Sequence, residues 1–125
     1  MGYRTVRTED VEPTPDRPCE LRRLTEAAGL EHVAVNRYSA DPGETIPLRY
    51  HYHEEQEEAF YVISGAMAVE TPEETFTVGA DELFAADAES PHRAYCPEDA
   101  EGTVEVLAIG APQVSGDARA YDADE

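Results

Sequence analysis

HYHEEQEEAFYVISG, residues 51–65, sets how the rest of the chain is read. His51 and His53 are one residue apart, so in a strand both imidazoles point to the same face. Glu58 opens the apolar run Ala59-Phe60-Tyr61-Val62-Ile63, and Gly65 closes it. A third imidazole, His92, follows Pro91 in SPHRAYC, residues 90–96. Three imidazoles and one carboxylate make a complete ligand set for a divalent first-row metal. A lone His-x-His is more often a pair of solvated polar residues on an exposed strand. Here three of the four histidines lie within or beside apolar strands, which favours the metal.

Around this stretch the pattern has a period of two, broken by turns at short intervals. Strands are expected over 32–39, 47–53, 58–64, 66–71, 74–78, 82–86, 92–96 and 103–110. The breaks carry turn chemistry, as in Asp41-Pro42-Gly43, Thr71-Pro72-Glu73, Gly79-Ala80-Asp81 and Pro97-Glu98-Asp99. Many short strands with little helix argue for an all-β antiparallel sandwich or barrel. Leu21 to Thr25 reads as one more strand followed by a short turn ending at Gly29. Residues 8–18, rich in proline and acid, read as an irregular arm over the barrel, and Asp117 onward as a frayed acidic tail.

The histidine stretch resembles the first motif of the cupins, which runs Gly, five residues, His-x-His, three or four residues, Glu, six residues, Gly. Here His51-Tyr52-His53 is followed by four residues, Glu58, six residues and Gly65. The trailing Gly65 selects Glu58 over Glu57, while Gly43 lies two residues too far upstream for the leading glycine. The second motif, Gly, five residues, Pro-x-Gly, two residues, His, three residues, Asn, falls on Asp81, Asp87, Glu89, His92 and Cys96. Only its histidine is kept. Aspartate tolerates a left-handed backbone at Asp81, whereas Glu89 tolerates it less well. The loop 87–91 is therefore expected to leave the family's path, without positive φ at Glu89. The resemblance covers roughly 43–96. It implies a jelly-roll barrel (a double-stranded β-helix) in one domain over 1–125, with an arm over 1–18 and an acidic tail over 117–125. It also implies a metal held by His51, His53, Glu58 and His92.

Strand alternation then sorts the neighbours of that site. Arg49 shares the face of His51 and His53; Phe60, Val62 and Ser64 share that of Glu58. Ala94 and Cys96 accompany His92, Cys96 being expected as a small buried core residue. Phe84 and Ala86 line the wall. Tyr50, Tyr52, Tyr61, Arg93 and Tyr95 face the other way, as an aromatic set able to cover a second sheet or a partner. His32 is read as a surface residue.

The chain holds 28 acidic residues against nine basic ones, all arginine, for a net charge of −19. Such a domain repels itself at low ionic strength, whereas at molar salt the screening length falls to about 3 Å. Acid excess without lysine resembles the proteins of salt-in halophiles, archaea in particular. The same charge excludes nucleic acid and anionic membrane as partners. No apolar run approaches the length needed to span a bilayer, and MGYRTVRTEDVEP lacks an apolar signal core, so a cytoplasmic protein is expected. Two cysteines are too few for a disulfide framework.

Three neutral imidazoles and one carboxylate leave open positions on a six-coordinate ion, which suits iron, nickel, zinc, copper or manganese. Cupins with this set include dioxygenases, isomerases, lyases and binding domains. The resemblance thus implies a metal-dependent protein acting on a small organic molecule by oxygenation or Lewis-acid isomerisation. The alternative is a non-catalytic module in which the metal orients a small ligand. A homodimer is expected by the same resemblance.

Overall fold

The computed structural model describes residues 2–47, 50–114 and 116–121. Ten strands form: β1 Glu20–Arg23, β2 Ala34–Ala40, β3 His51–His53, β4 Glu57–Ser64, β5 Ala66–Glu70, β6 Thr75–Gly79, β7 Leu83–Ala86, β8 Arg93–Tyr95, β9 Val104–Ala111 and β10 Ala118–Ala120. A single helical turn, α1 Leu24–Ala27, follows β1. All pairings are antiparallel, in a five-stranded sheet β1-β2-β9-β4-β7, a three-stranded sheet β6-β5-β8 and a ribbon β10-β3. The bridges His51–His92 and Thr45–Tyr95 tie the ribbon and the preceding segment to the edge at β8. This is the barrel that the alternation and the motif spacing imply.

The core lies between the two larger sheets. Phe60 and Val62 of β4 and Val104, Val106 and Ala108 of β9 supply one wall. Met67, Val69, Val78, Ala94 and Cys96 supply the other. Alternation explains the choice: Phe60 pairs with Ala108 and Val62 with Val106, and paired residues share a face. Cys96 is fully buried there, and both cysteines are free. Among the described residues no helix is long and apolar enough to cross a membrane.

The chain passes from the larger sheet to the smaller at Gly65, whose φ is +81. A Cβ there would lie 2.6 Å from the Thr103 carbonyl oxygen and 2.9 Å from Val104 Cα, so only glycine fits. Just before it a β-bulge between Val62 and Ser64 shifts the register. The extra residue turns Ser64 to the outer face beside Glu105, not to the face of Glu58 as alternation predicts.

The loop over 87–91 corrects a second expectation. Glu89 has φ +66, matching the left-handed Asp81 at +67. The loop therefore keeps a glycine-like turn despite its altered residues, at roughly 1–2 kcal/mol for a side chain in that region. Its return is a 2.6 Å hydrogen bond from the Glu89 amide to the His53 carbonyl, which anchors the loop carrying His92 to β3.

A third correction concerns the C-terminal segment. Asp117 is only 6% exposed, and Ala118–Ala120 pair with His53–His51. Residues 117–121 are thus part of the barrel, with the Tyr121 amide bonded to the Tyr50 carbonyl and the two rings 4.9 Å apart. The arm is irregular apart from a 3-10 turn at Thr8–Asp10. Arg22 Nη1 holds it by donating to the carbonyls of Thr8, Glu9 and Val11.

Of the expected outward aromatic set, Tyr61 is exposed, whereas Tyr50, Tyr52 and Tyr95 are half-buried. Arg93 lies over the Tyr95 ring and pairs with Glu70. His32 is exposed, as expected.

Candidate functional site

β3, β4 and the residue just before β8 bring the four sequence-selected residues together in one cluster. His51 and His53 project from the same face of β3, their rings 5.0 Å apart and at 84° to one another. Glu58, not Glu57, points inward from β4. Its Oε1 lies 2.9 Å from His92 Nε2, 3.0 Å from His53 Nε2 and 3.7 Å from His51 Nε2. One donor atom each from His51, Glu58 and His92 falls within 4.8 Å of the others. His53 touches the same carboxylate from outside that tighter group.

Burial alone would raise the Glu58 carboxyl, but the three imidazoles outweigh it and hold the group well below the usual carboxylate range. Its hydrogen bond to Glu58 raises the His53 imidazole, against the opposing effect of burial.

The ring of His92 shows what the cluster suits. Its Nδ1 lies 2.8 Å from the Ser90 carbonyl, which can only accept, so Nδ1 carries the proton. A neutral His92 then aims the bare lone pair of Nε2 at a carboxylate oxygen 2.9 Å away. Two acceptors face one another, and either a proton or a cation must lie among them. Neighbouring ligands about 2.1 Å from one ion, at right angles, are about 3.0 Å apart. The 2.9 and 3.0 Å separations here fit that spacing, and the donor set fits a divalent first-row ion.

Asp117 stands behind His53. Its carboxylate accepts the backbone amides of Glu55 at 3.1 Å and Gln56 at 3.0 Å, fixing the turn between β3 and β4. Its Oδ2 is 3.6 Å from His53 Nδ1, a buried nitrogen with no hydrogen-bond partner. The alternation Ala118, Arg119, Ala120, Tyr121 was the available sign that this segment could be a strand.

The cluster opens into a cavity of about 340 Å³. Ile46, Pro47, Phe60 and Ala94 give it an apolar wall, and Asn36, Tyr38 and Gln56 supply polar groups. Burial raises the Tyr38 hydroxyl, keeping it a protonated donor. Phe84 stays behind this wall, its ring 6.3 Å from those of Phe60 and His92. Arg49 lies outside the described residues. The arginines lining the cavity are Arg17, from the arm, and Arg23, from the end of β1. Arg23 continues the inward row of Cys19 and Leu21, whereas the path of the arm at Arg17 has no local sequence signal.

Comparison with known proteins agrees with this architecture. Residues 36–110 match the family described as Cupin domain. A Streptomyces cyaneus protein named polyketide synthase CurC is 32% identical over 99 residues, covering 74% of this chain and 60% of that protein. The chain thus spans about 60% of the length of that curated relative. Among solved structures, the polyketide cyclase RemF of Streptomyces resistomycificus superposes with a TM-score of 0.78 at 21% identity, over 97% of this chain and 87% of that one. A nucleoside dehydratase gives 0.73 at 18% identity, over 100% of this chain and 98% of that one. A sugar phosphate isomerase of Silicibacter pomeroyi gives 0.74 at 21%, over 88% and 76%.

Proposed function

Because the chain belongs to the cupin domain family, we propose that its cavity holds a divalent first-row ion on His51, His53, Glu58 and His92 and converts a small oxygenated organic molecule beside it. The observation that carries this reading is the convergence of three imidazole nitrogens on Glu58 Oε1, at the end of a cavity with an apolar wall. A redox-neutral reaction such as ring closure or dehydration is the favoured class. Its support is the naming of relatives as polyketide synthase, polyketide cyclase and nucleoside dehydratase.

When bound, such an ion supplies Lewis acidity toward a carbonyl or hydroxyl oxygen. The chain's own residues do the rest. Phe60, Ile46 and Ala94 hold the apolar body of the substrate and exclude water from it. Tyr38 Oη, a hydroxyl that burial holds above its ordinary range, and the Asn36 and Gln56 carboxamides offer hydrogen bonds that orient substrate oxygens.

Metal analysis of protein purified without chelators or nickel columns is the direct test. Near-stoichiometric metal is expected, falling to a small fraction in His53→Ala while circular dichroism keeps the β signature, because the core is apolar and not built on the ion. Metal-loaded protein that binds but never turns over oxygenated aromatic or poly-carbonyl probes would make it a binding module instead. Outside the cavity, exposed Tyr61, Ile63, Leu83 and Ile109 on the outer face of the five-stranded sheet support a homodimer, which sedimentation can check. The lysine-free acidic surface supports a salt-rich cytoplasm as its setting.

A further inference from the structure

Eight of the nine arginines lie among the described residues, and their partners divide them unevenly. Arg7, Arg22, Arg37, Arg93 and Arg119 each pair with a glutamate. Arg4 donates to the carbonyls of Ala28 and Gly29. Among the described residues only Arg17 and Arg23 have neither an ion pair nor a hydrogen bond, and both line the cavity. In a chain with 28 carboxylates, leaving two guanidiniums unpaired at one place requires a reason.

Burial sharpens the point. Arg17 Nε is inaccessible to solvent and has no partner, so its N–H carries a desolvation cost that nothing in the chain offsets. Arg23 is exposed and sits at the mouth, opposite Asn36 across the β1–β2 pairing. Both cations act on the Tyr38 hydroxyl, and Tyr38 lines the same cavity. A guanidinium presents a planar fork that matches an oxyanion through paired charge-assisted hydrogen bonds.

We infer that Arg17 and Arg23 form an oxyanion subsite within the cavity, so that the molecule bound beside His51, His53, Glu58 and His92 carries a carboxylate or a phosphate on an apolar body. The inference rests on the proposed small-molecule site and gives its ligand a chemical class. It does not require the ion, because the arginines belong to the arm and β1 whereas the four donors belong to β3, β4 and the residue just before β8. It also accounts for how a chain of net charge −19 could take up an anion: among the residues lining the cavity two arginines face the one carboxylate of Glu58, while Asp117 is turned behind His53 to the Glu55 and Gln56 amides.

The test uses nitrogen-15-labelled full chain, in potassium chloride just sufficient for a folded circular dichroism spectrum. EDTA-treated and zinc-loaded samples are titrated with benzoate, phenyl phosphate and neutral benzyl alcohol. Benzoate or phenyl phosphate is expected to shift the arginine Nε–H signals of Arg17 and Arg23 in both samples, and whichever binds tighter identifies the anion type. Benzyl alcohol should bind at least about tenfold more weakly, and Arg17→Gln and Arg23→Gln should each weaken the anion by about tenfold or more. Arg17→Lys and Arg23→Lys, which keep the charge and lose the fork, serve if either glutamine variant unfolds, and should weaken it too.

Anion binding that is unchanged in all these variants would overturn the inference. So would binding that disappears with EDTA and ignores the arginines, an outcome that leaves the metal reading intact. Conversely, arginine-dependent binding in a protein that never retains metal would sustain the subsite and defeat the metal reading.

Discussion

Replacing Asp117 with asparagine separates two tasks that one carboxylate performs. The first is structural. Oδ1 and Oδ2 accept the Glu55 amide at 3.1 and 3.2 Å, and Oδ2 accepts the Gln56 amide at 3.0 Å. Asparagine keeps one acceptor oxygen. With that oxygen at the Oδ2 position both amides are still served, but the new NH2 group faces the Glu55 amide, donor to donor. Hydrogen bonds to a charged group contribute about 1.5–3 kcal/mol and to a neutral one about 0.5–1.5, so two bonds lose roughly 2 kcal/mol together. Asparagine is cheaper to bury, which trims that to about 1–2 kcal/mol. Asp117→Ala removes the acceptor of both amides and should cost about 1–3 kcal/mol, the range for one unsatisfied group, because Glu55 is exposed and water can reach its amide.

The second task concerns His53. A carboxylate 3.6 Å from Nδ1 favours a proton there and leaves Nε2 free toward Glu58. Removing a hydrogen-bonded partner typically weakens metal binding by about 10–100-fold, and at 3.6 Å, without a hydrogen bond, the expected loss is about tenfold or less. Urea unfolding of the EDTA-treated protein gives the first quantity, and competition against a fluorescent zinc chelator gives the second. Asp117→Asn with unchanged zinc affinity but reduced stability would show that the residue only caps the turn. Unchanged values of both would refute the geometry outright.

Three further outcomes are expected. The Glu58 carboxyl is held below its ordinary 4.5, so its contribution to folding is present above that value and lost as pH falls through the folded one. His53 is raised above 6.5, so its contribution is present below 6.5 and lost as pH rises through its folded value. Metal-free protein should therefore have its highest thermal midpoint between pH 4.5 and 6.5, whereas the stabilisation by zinc should grow from pH 5 to 8 as the imidazoles become neutral. A zinc increment that shrinks over that range would contradict the ligand set. Gly65→Ala adds a Cβ 2.6 Å from the Thr103 carbonyl at a φ of +81, and should cost roughly 2–5 kcal/mol in urea unfolding; a loss under about 1 kcal/mol would deny the close approach. Finally, the thermal midpoint should rise steeply with potassium chloride up to ~1 M, where the screening length is already about 3 Å, and a flat response would remove the halophile reading of the acid excess.

The parts of the fold legible in the sequence are those fixed by local alternation. β9 runs Val104–Ala111 where the pattern predicts 103–110, and Glu58 rather than Glu57 faces inward, as the motif spacing to Gly65 implies and as a period of two requires once Phe60 and Val62 are in the core. What alternation missed depends on a break in it or on distant chain. The bulge after Val62 adds one residue and sends Ser64 outward, and no side chain between them announces it. Glu89 takes a left-handed turn against its own preference because the bond to the His53 carbonyl and the closure toward His92 outweigh the local cost. Asp117 looks like the first residue of an acidic tail; its role exists only because the Glu55 and Gln56 amides, 62 and 61 positions earlier, lack other acceptors. Arg17 and Arg23 are likewise ordinary by sequence, and distinguished only by having no carboxylate beside them.

That last distinction bears on how an acidic protein can handle an anion at all. A net charge of −19 acts over distance, whereas a guanidinium acts at contact. With the screening length at about 3 Å in molar salt, the long-range repulsion of the surface carboxylates is cut to their immediate surroundings, while hydrogen bonds inside a sheltered cavity are screened far less. Salt would then weaken the five exposed or half-exposed ion pairs more than it weakens an oxyanion on Arg17, whose Nε is buried. An acid-rich surface would oppose an anion in the cavity least under that condition. It is the same condition under which the repelling surface costs folding least.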